Sequence, residues 1–195
     1  MSGKPIDLSG RHSDGRTRRA RGIAHVPEDR QGEGLVMEFF AWENMVLGYH
    51  RAPEYRKSAV LMDRSGIRSE TARKMAQFDV RPPNPALPAR SFSGGNQQKL
   101  VLAREMTRDP ELLLVGQPTR GVDIGAIEFI HRRLIEMRDA GKAILLVSAE
   151  LEEILALADR IVVMHEGRIV GEMPTAEADR RKIGLLMAGI TEDAA

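Results

Sequence analysis

The sequence of 195 residues contains no cysteine, few aromatic residues and no long apolar run. Without cysteine, disulfides, thiolate catalysis and zinc–thiolate sites are excluded. No apolar stretch approaches the roughly 18 residues that a membrane-spanning helix needs. The polar residues 1–22 also lack the apolar centre of a signal peptide. If such a protein serves a membrane, it does so by docking.

The sequence also has almost no net charge, since 29 basic residues are balanced by 28 acidic ones. Composition therefore gives no support for nucleic acid as a partner. The one basic cluster fits a solvated loop or first helical turn better than a polyanion site, and it comprises Arg16, Arg18, Arg19 and Arg21. The histidines, which show no metal-ligand spacing, are His12, His25, His50, His131 and His165.

Strand and helix patterns alternate in the second half of the chain. Short apolar runs at 111–115 and 143–147 are typical of strands covered on both faces. Between them, apolar residues at spacings of three and four over 127–137 predict a helix that Gly141 ends. The elements predicted next are a helix at 150–158, a hairpin of strands 160–165 and 168–170, and one helix over 175–189. This alternation predicts an α/β fold with a mostly parallel sheet.

The first half has a different pattern. Ile6 and Leu8 predict an edge strand, and 22–26 predicts a core strand that Pro27 stops. From about 37 to 106 the periodicity is mostly helical, which predicts a helical lobe inserted into the α/β core. The predicted division is 1–36 for the N-terminal part of the core, 37–108 for the helical subdomain, 109–174 for the rest of the core, and 175–195 for a C-terminal helix and tail.

The turn at Ser93-Gly94-Gly95 precedes a helix that must stop before Pro110. Ser93 is a favourable N-cap, and the two glycines allow a ligand to approach the backbone closely. Unpaired amide groups and the positive end of the helix dipole make such a turn an anion site. Taken alone, an ordinary loop before a helix explains the turn equally well.

The order of the motifs after this turn resembles that of the ATP-binding cassette family. Eighteen residues beyond Gly95 begins the strand 113–116, and the segment 117–123 follows it, as a Walker B strand and the approach to a D-loop do in that family. The stretch 160–167 is similar to the family's closing hairpin. The resemblance implies a partial nucleotide-binding domain of this type, with an inserted helical subdomain and a C-terminal hairpin plus helix.

Finer features are similar to the second cassette of bacterial sugar and nucleoside importers, in which one polypeptide carries two cassettes. The segments that carry this likeness are 26–30, 43–44 and 91–99. The segments 117–121, 151–154 and 184–189 favour the nucleoside branch over the sugar branch.

Several positions depart from the family pattern. The sequence has no Gly-x-x-x-x-Gly-Lys-Ser/Thr string, the P-loop that holds phosphates, and we expect a truncated cassette. Gly116 stands where a magnesium-binding aspartate is expected, and Gln117 where a glutamate activates water. The switch histidine is replaced by Ala149 and the Q-loop glutamine by Glu28. Because losing a general base costs roughly 10² to 10⁴ in rate, we expect no hydrolysis in the chain's own site.

The resemblance implies that the chain acts on nucleotide held elsewhere. Cassettes pair head to tail, so ATP and Mg²⁺ would be bound mainly by a partner cassette. The residues offered to that nucleotide would be Ser93, Gly94, Gly95, Asn96, Gln97 and Asp123. Further partners would be permease subunits and, indirectly, a solute-binding protein, at the cytoplasmic face of the cell membrane. Trp42 and the Phe39-Phe40 pair fit either a permease-docking patch or the core of the lobe.

Two other functions remain open at this point. The chain could belong to a soluble cassette protein that takes no part in transport, although it shows no coiled coil or basic arm. It could also be a non-functional remnant or an isolated interaction module. A fragment without a P-loop strand and helix would leave one face of its sheet open, so we expect it to be fragile unless other chains cover it.

Overall fold

The computed structural model describes residues 14–58 and 60–190. The chain divides into two compact units, of which the first ends at Val147 and the second begins at Ser148. The edge strand predicted around Ile6 and Leu8 lies outside the described residues, as does His12. The predicted basic cluster falls on a short helix, α1 (Gly15–Ala20), and its Arg19 guanidinium lies over the ring of Tyr49.

Among the described residues, a parallel sheet of three strands forms the centre of the first unit. The strands are β1 (Ile23–Val26), β2 (Leu112–Gly116) and β3 (Ala143–Val147), in the order β1-β2-β3. One face of this sheet is closed, since Val26 and Leu113 are completely buried. On the other face Leu145 and Val147 are 56% and 59% exposed. The predicted parallel α/β core is confirmed.

The first unit contains further helical elements among its described residues. They are the π-helical segment Arg30–Gly34, α2 (Ala41–Met45), α3 (Arg64–Gln77), α4 (Gly94–Met106) and α5 (Ile124–Asp139), with 3₁₀ turns at Pro53–Tyr55 and Ala89–Ser91. Aspartate caps begin three of them: Asp29 accepts from Gln31 N and Gly32 N, Asp63 from Gly66 N, and Asp123 from Ala126 N. Gly141 ends α5 with a φ of 83°, which glycine tolerates best. Helix α4 contacts β1, and α5 contacts β3.

The lobe between α2 and α4 has its own apolar centre. Trp42, Val46, Tyr55 and Ile67 form a buried cluster there. Trp42 is therefore a core residue, whereas Phe39 and Phe40 are 44% and 40% exposed. The sequence allowed either a core or a docking role for these three residues. The structure places Trp42 in the core and leaves the two phenylalanines exposed.

A buried ion pair fixes α4 inside the first unit. Arg104 Nε donates to Glu105 Oε1 at 2.7 Å, and both side chains are 5% exposed or less. Arg104 Nη1 also donates to the carbonyl oxygen of Gly34 at 2.8 Å, and the Tyr49 hydroxyl donates to Glu105 Oε2 at 2.7 Å. Burial and the Glu105 carboxylate raise the pKa of Tyr49. The bonds to Gly34 and Tyr49 attach α4 to segments 70 and 56 residues away in sequence.

The second unit consists of a hairpin and two helices among the described residues. They are α6 (Leu151–Leu157), β4 (Arg160–His165), β5 (Arg168–Pro174) and α7 (Arg180–Met187), and β4 pairs with β5 in antiparallel fashion. Ile161, Val163, Ile183 and Leu186 form the buried centre of this unit.

The prediction of one helix over 175–189 is wrong. A 3₁₀ turn at Thr175–Glu177 is separated from α7 by Ala178, whose backbone is extended. Asp179 then accepts a hydrogen bond from Lys182 N at 2.7 Å. An aspartate in this N-cap position begins a new helix, so the apolar pattern alone overestimated its length.

Within residues 14–58 and 60–190, no helix combines the length and apolar character that crossing a membrane requires.

Candidate functional site

The predicted anion-binding turn lies at the start of α4. Ser93 is the N-cap residue, as predicted, but its side chain makes no capping hydrogen bond. Instead its Oγ accepts from Asn96 Nδ2 at 2.9 Å, and its carbonyl oxygen accepts from Gln97 N at 2.8 Å. A hydroxyl that already accepts a bond still has its own proton to donate. The Ser93 side chain is exposed and can offer that proton to a ligand.

The first amide groups of α4 are available as further donors. Within the described residues, nothing accepts a hydrogen bond from the N–H groups of Gly94, Gly95 and Asn96. These groups lie at the positive end of a helix of 13 residues. Together with the Ser93 hydroxyl they form a site that favours an anion with several acceptor oxygens.

Two glycines of the turn are required by close packing. A Cβ atom at Gly94 would lie 2.6 Å from Arg30 Nη2 and 2.9 Å from the carbonyl oxygen of Gly121. A Cβ atom at Gly95 would lie 2.8 Å from Asp123 Oδ2. At Gly94 the backbone oxygen of Gly121 leaves no room for a side chain, whereas at Gly95 the Asp123 carboxylate would have to move. The sequence interpretation assigned the glycines to ligand approach alone, and the structure adds this packing against residues 121–123.

The next two residues support the turn from behind. Asn96 Oδ1 accepts from Arg81 N at 2.7 Å while its amide donates to Ser93. Gln97 is only 3% exposed. Its Nε2 donates to the carbonyl oxygen of Phe92 at 2.9 Å, and its Oε1 accepts from Gln31 Nε2 at 2.9 Å. The side chain of Gln97 therefore holds the backbone of the turn in place through its hydrogen bond to Phe92.

The segment 117–123 lies directly beside this turn. Gln117 has a φ of 45°, in the left-handed region, and its N–H donates to the carbonyl oxygen of Val147 at 2.8 Å. Asp123 caps α5 through Oδ1, and its other oxygen faces Gly95. The structure thus brings Asp123 next to the Ser93–Gly95 turn.

Sequence reasoning missed the contacts made by residues 28–31. Arg30 Nη1 donates to the carbonyl oxygen of Arg120 at 2.7 Å, and Nη2 to that of Gly121 at 3.2 Å. Arg120 in turn donates to Glu28 Oε1 at 2.6 Å. Hydrogen bonds from the Gly32 and Gln31 amides lower the pKa of the neighbouring Asp29. The sequence offered only the family likeness of segment 26–30. It could not identify the contacts, because their partners lie about 90 residues away.

Comparison with known proteins identifies the family. The guanosine import ATP-binding protein NupO of Bacillus subtilis is 50% identical over 173 residues, which are 88% of this chain and 33% of that protein. The nucleoside import ATP-binding protein NupA of Lactococcus lactis is 48% identical over 167 residues, 86% of this chain and 33% of its own length. The chain belongs to the ATP-binding cassette family.

The solved structures agree with this assignment at the level of the fold. The cassette MJ0796, in a dimeric post-hydrolysis state bound to ADP and Pi, matches with a TM-score of 0.67 and 22% identity. The match covers 82% of this chain and 65% of that cassette. No family profile matches the chain. The chain spans about a third of the length of the curated relatives described above.

Within the cassette, the Walker B position does not suit a magnesium ion. Gly116 provides no carboxylate, and a Cβ atom there would lie 3.2 Å from the backbone nitrogen of Glu28. The adjacent Gln117 carries an amide in place of a general base. Within the described residues, no cluster of His, Asp and Glu has the arrangement of a metal site.

The other two altered positions lie apart in the chain. Glu28, which the sequence predicts at the Q-loop position, forms an exposed ion pair with Arg120. Ala149, at the switch position, belongs to the second unit, where the neighbouring Ser148 Oγ accepts from Glu150 N at 3.0 Å. An alanine methyl group cannot exchange protons or donate a hydrogen bond.

Restoring the Walker B aspartate is expected to destabilise the cassette. In Gly116→Asp, the new Cβ would lie 3.2 Å from the backbone nitrogen of Glu28, closer than packed atoms normally approach. We expect a loss of about 1–3 kcal/mol, the usual cost of forcing atoms into a packed position. Urea unfolding measures this loss. We also expect no magnesium-dependent rise in the unfolding midpoint.

Gly184→Asp is the matched control, since a Cβ atom there meets no other atom within 4 Å. This surface change is expected to alter stability by no more than about 0.5 kcal/mol. A Gly116→Asp protein that is as stable as the parent, or that magnesium stabilises, would show that the position can hold a carboxylate.

Proposed function

We propose that the chain is the C-terminal cassette part of an ATP-binding subunit of an importer for nucleosides or simple sugars. In this proposal it offers its signature turn, Ser93–Gly95, to ATP bound by a partner cassette. The observation that carries the proposal is the turn itself, with a free hydroxyl proton and three unpaired amide groups at a helix N-terminus.

The geometry of the turn suits the γ-phosphate of a nucleotide. Phosphoryl transfer needs little covalent chemistry from a protein, because stabilising charge on the transferred oxygens lowers the barrier. The Ser93 hydroxyl and the Gly94 and Gly95 amides supply such donors from one side. Asp123, fixed beside Gly95 by its bond to Ala126 N, is the second residue offered across the interface.

The residues of the chain's own site support a role in trans. The amide of Gln117 cannot accept a proton from water, and Gly116 provides no ligand for the Mg²⁺ that accompanies ATP. The methyl side chain of Ala149 cannot replace either the missing proton acceptor or the missing metal ligand. The catalytic apparatus for hydrolysis would therefore come from the partner cassette, which holds the nucleotide and the metal ion.

Transport also requires contact with a permease. Phe39 and Phe40 are exposed aromatic residues on the helical lobe, next to the Glu38–Arg90 ion pair. Asn44 holds the segment that carries them, since it accepts from Val36 N and donates to the Val36 and Phe39 carbonyl oxygens. An ordered aromatic pair with charged neighbours is typical of a docking surface. We assign it to the permease at the cytoplasmic face of the membrane, with a solute-binding protein as an indirect partner.

The names of the relatives favour nucleosides as the transported solute, because NupO and NupA are named for guanosine and nucleoside import. The cassette does not contact the solute, so uptake assays with the assembled importer decide between nucleosides and sugars. Uptake of a labelled nucleoside that unlabelled ribose does not reduce is the expected result.

A mixing experiment tests the role in trans. The purified 195-residue chain is expected to show no ATPase activity above background, since Gln117 and Gly116 lack the required groups. Added to the ATP-loaded partner cassette, it is expected to raise ATPase activity by about 10²-fold or more, the effect of completing a charge-stabilised site. Magnesium-dependent turnover by the chain alone would overturn this interpretation. The same experiment addresses the alternatives, because a remnant would leave the partner's activity unchanged.

A further inference from the structure

The guanidinium group of Arg30 lies between two segments that the proposed function assigns to the same nucleotide. On one side it donates to the carbonyl oxygens of Arg120 and Gly121, at 2.7 and 3.2 Å. On the other side, Nη2 lies only 2.6 Å from where a Cβ atom of Gly94 would be. The side chain therefore fills the space between the signature turn and the segment that leads to Asp123.

The position of Arg30 is determined by several contacts. Asp29 accepts hydrogen bonds from the amides of Gln31 and Gly32, which shape the backbone next to Arg30. Gln31 connects the same segment to the signature helix through Gln97. Arg30 Nε is buried, and no described residue accepts a hydrogen bond from it. Leaving a donor unpaired is unfavourable, and the bonds that Nη1 and Nη2 donate hold the side chain in place against this cost.

An arginine suits this position better than a lysine does. The planar guanidinium has donors in a fixed fork, so it can bind two successive carbonyl oxygens at once. Its positive charge also lies beside the amides of Gly94 and Gly95, where an anion is expected. Glu28 and Asp29 precede it in sequence, but Glu28 is paired with Arg120 and Asp29 with backbone amides.

We propose that Arg30 is the positioning residue that holds the signature turn and the 120–123 segment in one fixed arrangement, so that both meet the partner's nucleotide together. This inference rests on the proposed function, since it concerns how the same surface is ordered. In this proposal, the segment that contains Glu28 and Arg30 fixes the shape of the surface that is offered to the partner cassette.

The first test needs no nucleotide. Hydrogen–deuterium exchange is measured on the 195-residue chain and on Arg30→Ala and Arg30→Lys. In Arg30→Ala, peptides covering 93–98 and 119–123 are expected to exchange about tenfold faster, the factor that one hydrogen bond from a charged group provides. Peptides from β2 and from the end of α5 are expected to be unchanged. Arg30→Lys is expected to give an intermediate rate, because an ammonium group can bind one of the two carbonyl oxygens.

Arg133→Ala is the matched control. Arg133 also donates to a backbone carbonyl, that of Gln77, and packs on Phe78 and Phe129, so its loss removes a similar set of contacts elsewhere. It is expected to leave exchange at 93–98 and 119–123 unchanged. If Arg30→Ala does not raise exchange in both segments, or if Arg133→Ala raises it equally, the inference is wrong.

The second test uses the assembled importer. Arg30→Ala is expected to lower the kcat for ATP hydrolysis about tenfold or more with little change in the KM for ATP, since the turn acts mainly in the transition state. Arg30→Lys is expected to recover part of this loss. Loosened segments with normal ATPase activity, beside a Ser93→Arg variant that also keeps its activity, would contradict the proposed function. A Ser93 variant that loses activity, beside an Arg30→Ala variant that keeps it, would contradict only the inference.

Discussion

Ser93→Arg in the assembled importer is expected to lower ATPase activity by about 10²- to 10³-fold, the usual effect of losing a transition-state donor. The arginine side chain would occupy the space in front of the Gly94 and Gly95 amides and remove the donating hydroxyl. Folding should not suffer, because Ser93 is exposed and its side chain makes no capping hydrogen bond. Steady-state ATPase and solute uptake measure the effect, and both should fall together.

The matched control for this prediction is Ser69→Arg. Ser69 is exposed on α3, so the same substitution adds the same charge and volume away from the turn. Its activity is expected to stay within about twofold of the parent, as for most surface substitutions. If Ser93→Arg keeps full activity and uptake, the signature turn does not act on a partner's nucleotide.

Glu105→Gln is expected to lower the free energy of unfolding by about 3–5 kcal/mol, because it leaves a buried guanidinium without its counter-charge. Glu105 is completely buried, and its partner Arg104 is 4% exposed. Glutamine has nearly the same volume and still accepts a bond from the Tyr49 hydroxyl. The measured loss therefore reports on the charge more than on packing. Urea unfolding followed by circular dichroism gives the value.

Glu136→Gln makes the same chemical change in an exposed pair. Glu136 and Arg133 are 51% and 24% exposed and lie one helical turn apart on α5. Loss of such a pair costs about 0–1 kcal/mol. Equal effects of the two substitutions would contradict a structural role for the buried pair.

Most strands could be predicted closely from local pattern, but β5 continues to Pro174, four residues beyond the predicted end at 170. The predicted limits 143–147 and 160–165 coincide with β3 and β4, and β2 differs by one residue at each end. Short apolar runs indicate strands reliably when both ends carry turn or polar residues. The C-terminal helix was predicted too long because a single aspartate, Asp179, restarts the helix where the apolar periodicity continues.

The residues of the signature turn could also be predicted, but their individual roles could not. Local sequence indicates that Ser93 precedes a helix and that the two glycines after it belong to the turn. It does not indicate that the Ser93 hydroxyl binds Asn96 rather than the helix backbone, or that Gln97 faces inward. Those choices depend on Arg81, Phe92 and Gln31, which reach the turn from other segments.

The sequence by itself determined the type of fold and the place of the Ser93–Gly95 turn before a helix, and it predicts the loss of catalytic groups at Gly116, Gln117 and Ala149. These features depend on residue identity and short-range spacing. Only the tertiary structure decided that Arg30 joins the turn to Gly121, and that a side chain at Gly116 would meet the backbone of Glu28. The physical reason is that both contacts join segments about 90 residues apart, and such pairs are formed by packing of the whole unit.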